Sequence, residues 1–417
     1  MYSRRDGILW IEQVRLDRLL AAGLPTPLYL YSLAELRRCY AAWAEAVSGL
    51  DATVGYAIKA NPNPHLLREL ARLGAGAIVA SEGELRQALG CGFAGAHTVL
   101  HGNGKRPGDI EAALRAGALL SVDSPFDLAH IEEAAGRLGC QARLLLRINP
   151  DIDPQVHPYV ATGLQDSKFG MTEAVLQGLR PALRALRHSR VCGLHSHIGS
   201  LLMEPGPFVA AGRIVLQWAA RLRDDGHPID TVDLGGGLGI DYSRRGEPAP
   251  TPSDLIGPLR AELQAAGLRL VVEPGRSLVG SCGALLGRVL GVKHGGSKSF
   301  LVTDASMAQL IRPALYGAYH HIELVAPGGE VRRFDVVGPL CESADFLGLA
   351  RQLPTPAEGD GLLVFDVGAY GACMASRYNL QLGPAEYIVD GARLICSRRA
   401  ETWEDFARPF VDQEVAL

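Results

Sequence analysis

Between about residue 32 and residue 277, short β-branched apolar runs alternate with longer stretches that repeat apolar residues at helical spacing. Eight runs can be read, at 53–59, 76–80, 98–101, 119–123, 142–149, 191–198, 231–234 and 269–273. The intervening HLLRELARLG, GELRQALGCG, GDIEAALRAG and DLAHIEEAAGRLG each end at or near a glycine, the residue that most readily takes the left-handed turn closing a helix. Eight strand-and-helix units in this span match the size of a (β/α)8 TIM-like barrel, about 250 residues. A doubly wound open sheet has the same alternation, so periodicity by itself leaves both architectures open.

From about residue 278 the texture turns to FLVTDAS, RRFDVVG, GLLVFDV and EYIVDGARLICS, with glycine turns at 295–296 and 328–329, which predicts a β domain. The early run PLYLY at 27–31 has the same texture and is expected to pair with it. The expected division is a barrel over 32–277 and a β-rich domain made of 1–31 and 278–417. The proline-rich stretches near 247–258 and 354–356 are expected to be loops.

Composition narrows the function classes. The 417 residues carry 21% charged and 47% hydrophobic side chains and a formal net charge of −4, ordinary globular values. Basic residues gather in nothing longer than pairs such as Arg4-Arg5 and Arg398-Arg399. A nucleic-acid backbone therefore finds no electrostatic footprint, and a small-molecule partner is expected. No apolar run nears the ~18 residues of a membrane span. Eight cysteines, at 39, 91, 140, 192, 282, 341, 373 and 396, stand apart without a CxxC. The opening MYSRRDGILW lacks the apolar segment of a signal peptide, so a cytoplasmic protein with free thiols is predicted.

Arginine is the default cation here: there are 36 arginines and only five lysines, at 59, 105, 168, 293 and 298. The lysine inside YAIKAN, at 56–61, is therefore unusual. Taken alone it reads as a strand-end lysine that snorkels to water. Its company changes that reading, because chemistry in a barrel of this type gathers at the carboxyl ends of the strands. Lys59 ends the first run, and His195-Ser196-His197 followed by Gly199-Ser200 end the sixth. Gly235, Gly236 and Gly237 end the seventh, and Glu273-Pro274-Gly275-Arg276 the eighth. The three glycines serve either as a flexible turn or to let backbone N–H groups close on an anion. They are not a dinucleotide fingerprint, since Ile240 stands where GxGxxG needs its third glycine, and GNGKRPG at 102–108 misses the P-loop spacing.

Period-two alternation projects His195 and His197 to the same side of a strand, and such a pair can bind a metal. A metal site needs more ligands, and the other strand ends add no histidine besides His101, so no metal is expected. Glu273 beside Arg276 reads, in isolation, as an ion pair. With a solitary lysine, a phosphate cradle and an aromatic-like histidine it completes the set required by pyridoxal 5'-phosphate: a Schiff-base lysine, a phosphate site and a carboxylate for the pyridine nitrogen. On this reading Lys59 is the covalent anchor, kept nucleophilic by an apolar strand that disfavours its charged form.

At these residues the sequence resembles the fold-type III pyridoxal-phosphate decarboxylases, the family of diaminopimelate, ornithine and arginine decarboxylases, over almost the whole chain. YAIKAN looks like the family's lysine motif, HSHIGS its ring-stacking histidine and phosphate serine, and DLGGGLG its phosphate glycines. EPGR looks like its pyridine carboxylate, and GPLCESADFL like the cysteine segment that crosses from the neighbouring subunit. RINPDIDPQVHPYVATGLQDSKFGM, IRPALYGAYH and VGAYGACMASRYN resemble the diaminopimelate decarboxylase branch. Each motif alone is modest; their order and spacing together are specific.

The resemblance implies an alanine racemase-like fold, a (β/α)8 barrel with a C-terminal β domain, and a set of roles. Lys59 would anchor the cofactor and His197 stack on its ring. Ser200, Gly235, Gly236, Gly237, Gly275 and Arg276 would hold the phosphate side, with Tyr370 reaching it from the β domain. Glu273 would keep the pyridine nitrogen protonated, where a racemase is expected to use an arginine. Arg276, Arg312, Tyr316 and Tyr370 would receive the substrate, the arginine forks suiting a distal carboxylate and repelling a terminal ammonium. Glu342 would take the distal amine, and Cys341 would return a proton to carbon. If Cys341 and Glu342 cross between subunits, the working unit is a two-fold homodimer. The implied activity is decarboxylation of meso-2,6-diaminopimelate at its D-centre, giving L-lysine and CO2, a step of lysine biosynthesis.

Four departures from the family pattern bear on the substrate. Ile78 stands where an acidic residue is usual, Ala308 and Gln309 replace a polar pair, and Arg377 replaces a small or amide residue. They leave room for a decarboxylase of another carboxylate-bearing amino acid or conjugate in a specialised pathway. From other classes, an amino-acid racemase, a non-catalytic cofactor carrier and a metal-dependent hydrolase remain in play.

Overall fold

Eight parallel strands close into a barrel in the computed structural model, which describes residues 2–154, 156–157, 162–164, 166–246 and 249–413. They are β1 Ala52–Ala57, β2 Gly76–Val79, β3 Thr98–Leu100, β4 Leu119–Val122, β5 Ala142–Arg147, β6 Ser189–His195, β7 Thr231–Asp233 and β8 Arg269–Val272. Closure is direct, with Leu270 of β8 opposite Ala52 of β1 and Val272 opposite Val54. That pairing excludes the open doubly wound sheet. Strands buried on both faces need near-continuous apolar sequence, and a buried layer of Ala57, Ile78, Val99, Leu119, Leu145, Cys192 and Val271 fills the barrel. Burying an aliphatic side chain of this kind is worth about 1.5–3 kcal/mol.

The helices begin and end where local chemistry directs. Asn63 caps Pro64–Arg72 by accepting the His65 N–H, and Ser124 caps Pro125–Leu138 by accepting the Asp127 N–H. Pro107–Ala116 and Pro125–Leu138 both stop at left-handed glycines, Gly117 and Gly139. The expected loop at 247–258 is corrected. Thr251 and Asp254 form a capping box, Pro252 takes the first helical position, and a short helix runs over Pro252–Ile256. Residues 247 and 248 lie outside the described residues, as do 155, 158–161 and 165 of the motif that spans 147–171.

The chain divides into two compact units, this barrel unit of residues 36–241 and 246–279 and a second made of 1–35, 242–245 and 280–417. The second unit carries a nine-stranded sheet. Its main path runs Phe346–Pro354, Val331–Val337, Lys298–Thr303, Gly283–Gly295, Leu28–Ser32, Ala385–Asp390 and Arg393–Arg398. Gly361–Phe365 pairs with both Gly283–Gly295 and Ile322–Leu324. Leu28–Ser32, from the PLYLY run, sits inside the sheet, antiparallel to Gly283–Gly295 and parallel to Ala385–Asp390. Leu28, Leu30, Ala284, Leu286, Leu363, Phe365 and Val389 lie in one buried cluster on it. Among the described residues no helix is long and apolar enough to cross a membrane.

Candidate active site

Strand β1 stops at Ala57, and the next three residues, Ile58–Ala60, turn into a 3-10 helix that carries Lys59. Ala57 donates its backbone N–H to the carbonyl of Pro274 at 3.1 Å. Gly275 lies so close that a Cβ there would stand 3.2 Å from the Cβ of Ala60. The segments that follow β1 and β8 are thus packed together, and Lys59 and Glu273 share one end of the barrel. The expected burial of Lys59 is corrected: the residue is exposed and lies beyond the strand. Its electrostatic neighbours are His197 and Glu84. Glu84 accepts the Ala80 N–H at 2.7 Å; burial pushes its carboxyl up, and Lys59 opposes that. Sequence reasoning passed over Glu84, because Ser81-x-x-Glu84 reads as a helix start and marks no site.

Lys105 is the other lysine near this end, and it is spoken for. Its buried Nζ donates to Asp127 at 2.6 Å, to the carbonyl of Ser121 at 2.6 Å and to that of Gly102 at 2.8 Å. All three ammonium protons are used.

Glu273 turns into the barrel. Its Oε1 lies 2.5 Å from Nε2 of His101, which follows β3, and its Oε2 is 3.7 Å from Nε2 of His195, the last residue of β6. Asp233, the last residue of β7, accepts the Gly235 N–H at 2.9 Å and places its other oxygen 3.8 Å from the same His101 nitrogen. All four side chains are buried. Burial resists ionisation of Glu273, but His101 and His195 outweigh it and hold the carboxyl well below its ordinary range. Burial, and then the charge of Glu273, push Asp233 well above its own. Burial keeps the His195 ring neutral. Two acids in one buried cluster are thereby driven apart, Glu273 toward its ionised and Asp233 toward its protonated form.

Beyond β7 the chain doubles back in the glycine loop. A Cβ on Gly236 would stand 2.1 Å from the carbonyl of Glu273; Gly237 has φ +110° and would meet the carbonyl of Gly199 at 2.2 Å. Only glycine fits either position. The Gly236 N–H donates to Nδ1 of His197 at 3.2 Å. Burial, and then Lys59, push the His197 imidazole down to about 3, so Nδ1 stays a free acceptor. The same-side projection expected for the two histidines is corrected, since β6 ends at His195 and the alternation stops there. Arg276, buried, donates to Ser200 Oγ at 3.0 Å, while Glu273 faces His101; the adjacent acid and arginine go separate ways.

The remaining candidates lie on the β unit. Arg312 begins the helix Arg312–Tyr316, is buried, and donates to Nε2 of His320 at 2.6 Å with its guanidinium 4.6 Å from the Tyr242 ring. Tyr316 closes that helix half-buried. Tyr370 is held at φ +57°, a conformation unusual outside glycine and concentrated at functional sites. Cys341 is exposed and gives its backbone N–H to Asn379 Oδ1 at 2.9 Å. Glu342 is exposed and caps the Ala344 N–H at 3.1 Å. All eight cysteines are free, Cys373 and Cys396 being exposed as well.

The departures have structural duties. Ile78 belongs to the apolar barrel layer. Gln309 is buried and accepts both the N–H and the hydroxyl of Ser306, and Ala308 is buried beside it. Arg377 is tied to Glu401.

The barrel residues fit a phosphorylated pyridine aldehyde: an amine, an ionised buried carboxylate, a glycine cradle that any Cβ would fill, and a guanidinium paired with a hydroxyl. The expectation that metal ligands fall short is corrected. Donor atoms of His101, His195, Asp233 and Glu273 all lie within 4.8 Å of one another and could hold a divalent ion. That group recruits His195 without His197, and it spends the one carboxylate a pyridine nitrogen would need.

Residues 33–280 match the family model of the pyridoxal-dependent decarboxylases, pyridoxal binding domain. The diaminopimelate decarboxylase of Pseudomonas aeruginosa is 42% identical over 406 residues, covering 97% of each chain. The crystal structure of diaminopimelate decarboxylase from Helicobacter pylori complexed with L-lysine superposes with a TM-score of 0.91 at 35% identity, over 94% of this chain and 98% of that one. The enzyme from M. jannaschii in complex with L-lysine gives 0.93 at 34% identity, over 99% and 98%.

Proposed function

The chain belongs to the pyridoxal-dependent decarboxylase family, and from that premise we propose that it removes the carboxylate from the D-centre of meso-2,6-diaminopimelate, releasing CO2 and L-lysine. The observation that carries this reading is the convergence of Lys59, His197, Glu273 and the glycine loop at one end of the barrel, in a chain related over nearly its whole length to diaminopimelate decarboxylases.

Bound pyridoxal phosphate supplies the electron sink for the pair left behind when the carbon–carboxylate bond breaks. Lys59 is the residue that binds its aldehyde carbon. Glu273 holds a proton on the ring nitrogen, and its low proton affinity suits an ion pair there. Neutral His197 lies against the ring face. Gly235, Gly236, Gly237, Ser200, Gly275 and Arg276 hold the phosphate by backbone N–H groups, a hydroxyl and a guanidinium, and Tyr370 is a further candidate for it. Arg276, Arg312, Tyr316 and Tyr370 hold the distal carboxylate, and Glu342 the distal amine. After CO2 leaves, the Cys341 thiol gives its proton to the carbon that lost the carboxylate. The working unit is a homodimer in which Cys341 and Glu342 serve the neighbouring subunit's site, and its compartment is a cytoplasm that keeps the free thiols reduced.

The structural duties of Ile78, Gln309 and Arg377 weigh against reading these departures as a substrate change. A panel assay tests the proposal. CO2 release is expected from meso-diaminopimelate and not from ornithine, arginine or acidic amino-acid conjugates. Turnover of a conjugate in preference to meso-diaminopimelate, or racemisation without CO2, would overturn it.

A further inference from the structure

Glu273 meets the cofactor in the reading above, yet three more polar side chains are buried beside it, and no step uses them. The closest is His101. We propose that His101 is a positioning residue that pins Oε1 of Glu273, so that the other carboxylate oxygen is directed to the ring nitrogen of the bound cofactor. The inference rests on the proposed function and adds to it a residue just after β3, a strand that otherwise contributes nothing to the site.

Geometry selects His101 over its neighbours. His101 Nε2 is 2.5 Å from Glu273 Oε1, whereas His195 Nε2 stays 3.7 Å from Oε2. The His195 ring is engaged on its far side, with Nδ1 3.2 Å from Ser121 Oγ on β4. Asp233 competes for the same His101 nitrogen only from 3.8 Å, through Oδ2, while its Oδ1 is committed to the Gly235 N–H. The base of His101 is fixed because its backbone N–H donates to the carbonyl of Val79 at 2.8 Å, extending the β2–β3 ladder. Its ring is fixed because it lies 4.2 Å from the His195 ring, tilted by 54°. Glu273 has its own tether, a backbone N–H to the Gly235 carbonyl at 2.7 Å. A carboxylate held at its backbone and at one oxygen has little freedom left at the second, and such outer contacts usually set how well a functional group is aimed.

Two variants of the reconstituted holoenzyme test this. His101→Phe keeps a ring beside His195 and removes the N–H; His101→Gln restores a side-chain N–H. His101→Phe is expected to weaken cofactor binding, read by fluorescence titration, about 10- to 100-fold, the usual cost of losing a side chain that orients a functional group. The pH midpoint of the bound cofactor's absorbance should fall, and kcat should drop with KM changing less than about twofold. His101→Gln should recover most of each effect. Wild-type affinity, absorbance profile and kcat in His101→Phe would overturn the inference, as would a His101→Gln variant as impaired as the phenylalanine one. Should His101→Phe not fold, His101→Gln alone decides: near-wild-type cofactor affinity supports the role and a 10-fold loss overturns it. Peptide mapping after borohydride reduction separates the two levels. Cofactor on Lys59 with His101→Phe unchanged sinks only the role of His101; cofactor on another residue sinks the function itself.

Discussion

The guanidinium of Arg312 donates through Nη1 to Nε2 of His320 at 2.6 Å, and Nδ1 of the same ring lies 2.8 Å from the carbonyl oxygen of Phe365. Both ring nitrogens are committed, Nε2 as acceptor and Nδ1 as donor, so His320 is neutral and its orientation is fixed. Tyr242 packs on both partners, 4.6 Å from the guanidinium and 4.9 Å from the imidazole. His320→Phe should therefore raise KM for meso-diaminopimelate about 10-fold or more, through misaiming of Arg312, and change kcat much less. Steady-state kinetics check this; an unchanged KM would show that Arg312 does not depend on His320.

Lys59 and Lys105 should separate cleanly. Lys59→Ala is expected to abolish the long-wavelength band of the bound cofactor and its fixation by borohydride, with little effect on the thermal midpoint of the cofactor-free protein, since the side chain is exposed. Lys105→Met leaves Asp127 buried without its partner, a loss typically worth about 3–5 kcal/mol. It should lower the midpoint strongly while any folded protein still carries cofactor on Lys59.

Cys341→Ala should slow product formation about 10²–10⁴-fold, the usual cost of losing a general acid, while cofactor titration stays within twofold of wild type. Asn379, at φ +52°, fixes the Cys341 backbone N–H and is expected to share a milder form of the defect when changed to Ala. Equal losses in turnover and cofactor affinity would argue against a proton-transfer role for Cys341.

Acid should destabilise the cofactor-free protein through its buried histidines. Folding pushes His197 from an ordinary value near 6.5 down to about 3, and it lowers His195 too. Below pH 6.5 the unfolded chain binds protons that the folded chain refuses, so stability falls as the pH drops from 6.5 toward 3. His197→Phe should make that fall shallower between pH 7 and pH 5 in chemical denaturation. An identical slope in the variant would mean that His197 accepts a proton in the fold.

Chelation should leave turnover within about twofold of untreated enzyme, because the proposed reaction needs the Glu273 carboxylate for the cofactor's ring nitrogen, and the cluster of His101, His195, Asp233 and Glu273 cannot then serve as a metal site. Loss of activity on dialysis against a chelator, restored by zinc, would reassign the cluster.

The individual strands were legible because each barrel strand is a short apolar run bounded by polar or glycine residues, a pattern that needs no knowledge of partners. Each run was drawn one to three residues too long at the carboxyl end, 142–149 against Ala142–Arg147 for example, since polar site residues follow directly after the ladder has stopped. Gly283–Gly295 escaped notice: its four glycines break the apolar pattern, and it is held by pairing with Leu28–Ser32, Gly361–Phe365 and Lys298–Thr303. Glu84, Asp233 and His320 escaped for a different reason, each looking locally like a cap, a strand end or part of a histidine pair.

By itself the sequence determined the strand-and-helix rhythm, the place of an unusual lysine, and the glycines without which the loop after β7 could not pass its neighbours. These are local properties, set by side-chain period and backbone sterics. Only the tertiary structure decided that Lys59 is exposed, that Glu273 turns away from Arg276 toward His101, and that four strand ends pool two acids and two imidazoles. Barrel closure sets those distances, and among buried groups distance decides which acid keeps its proton.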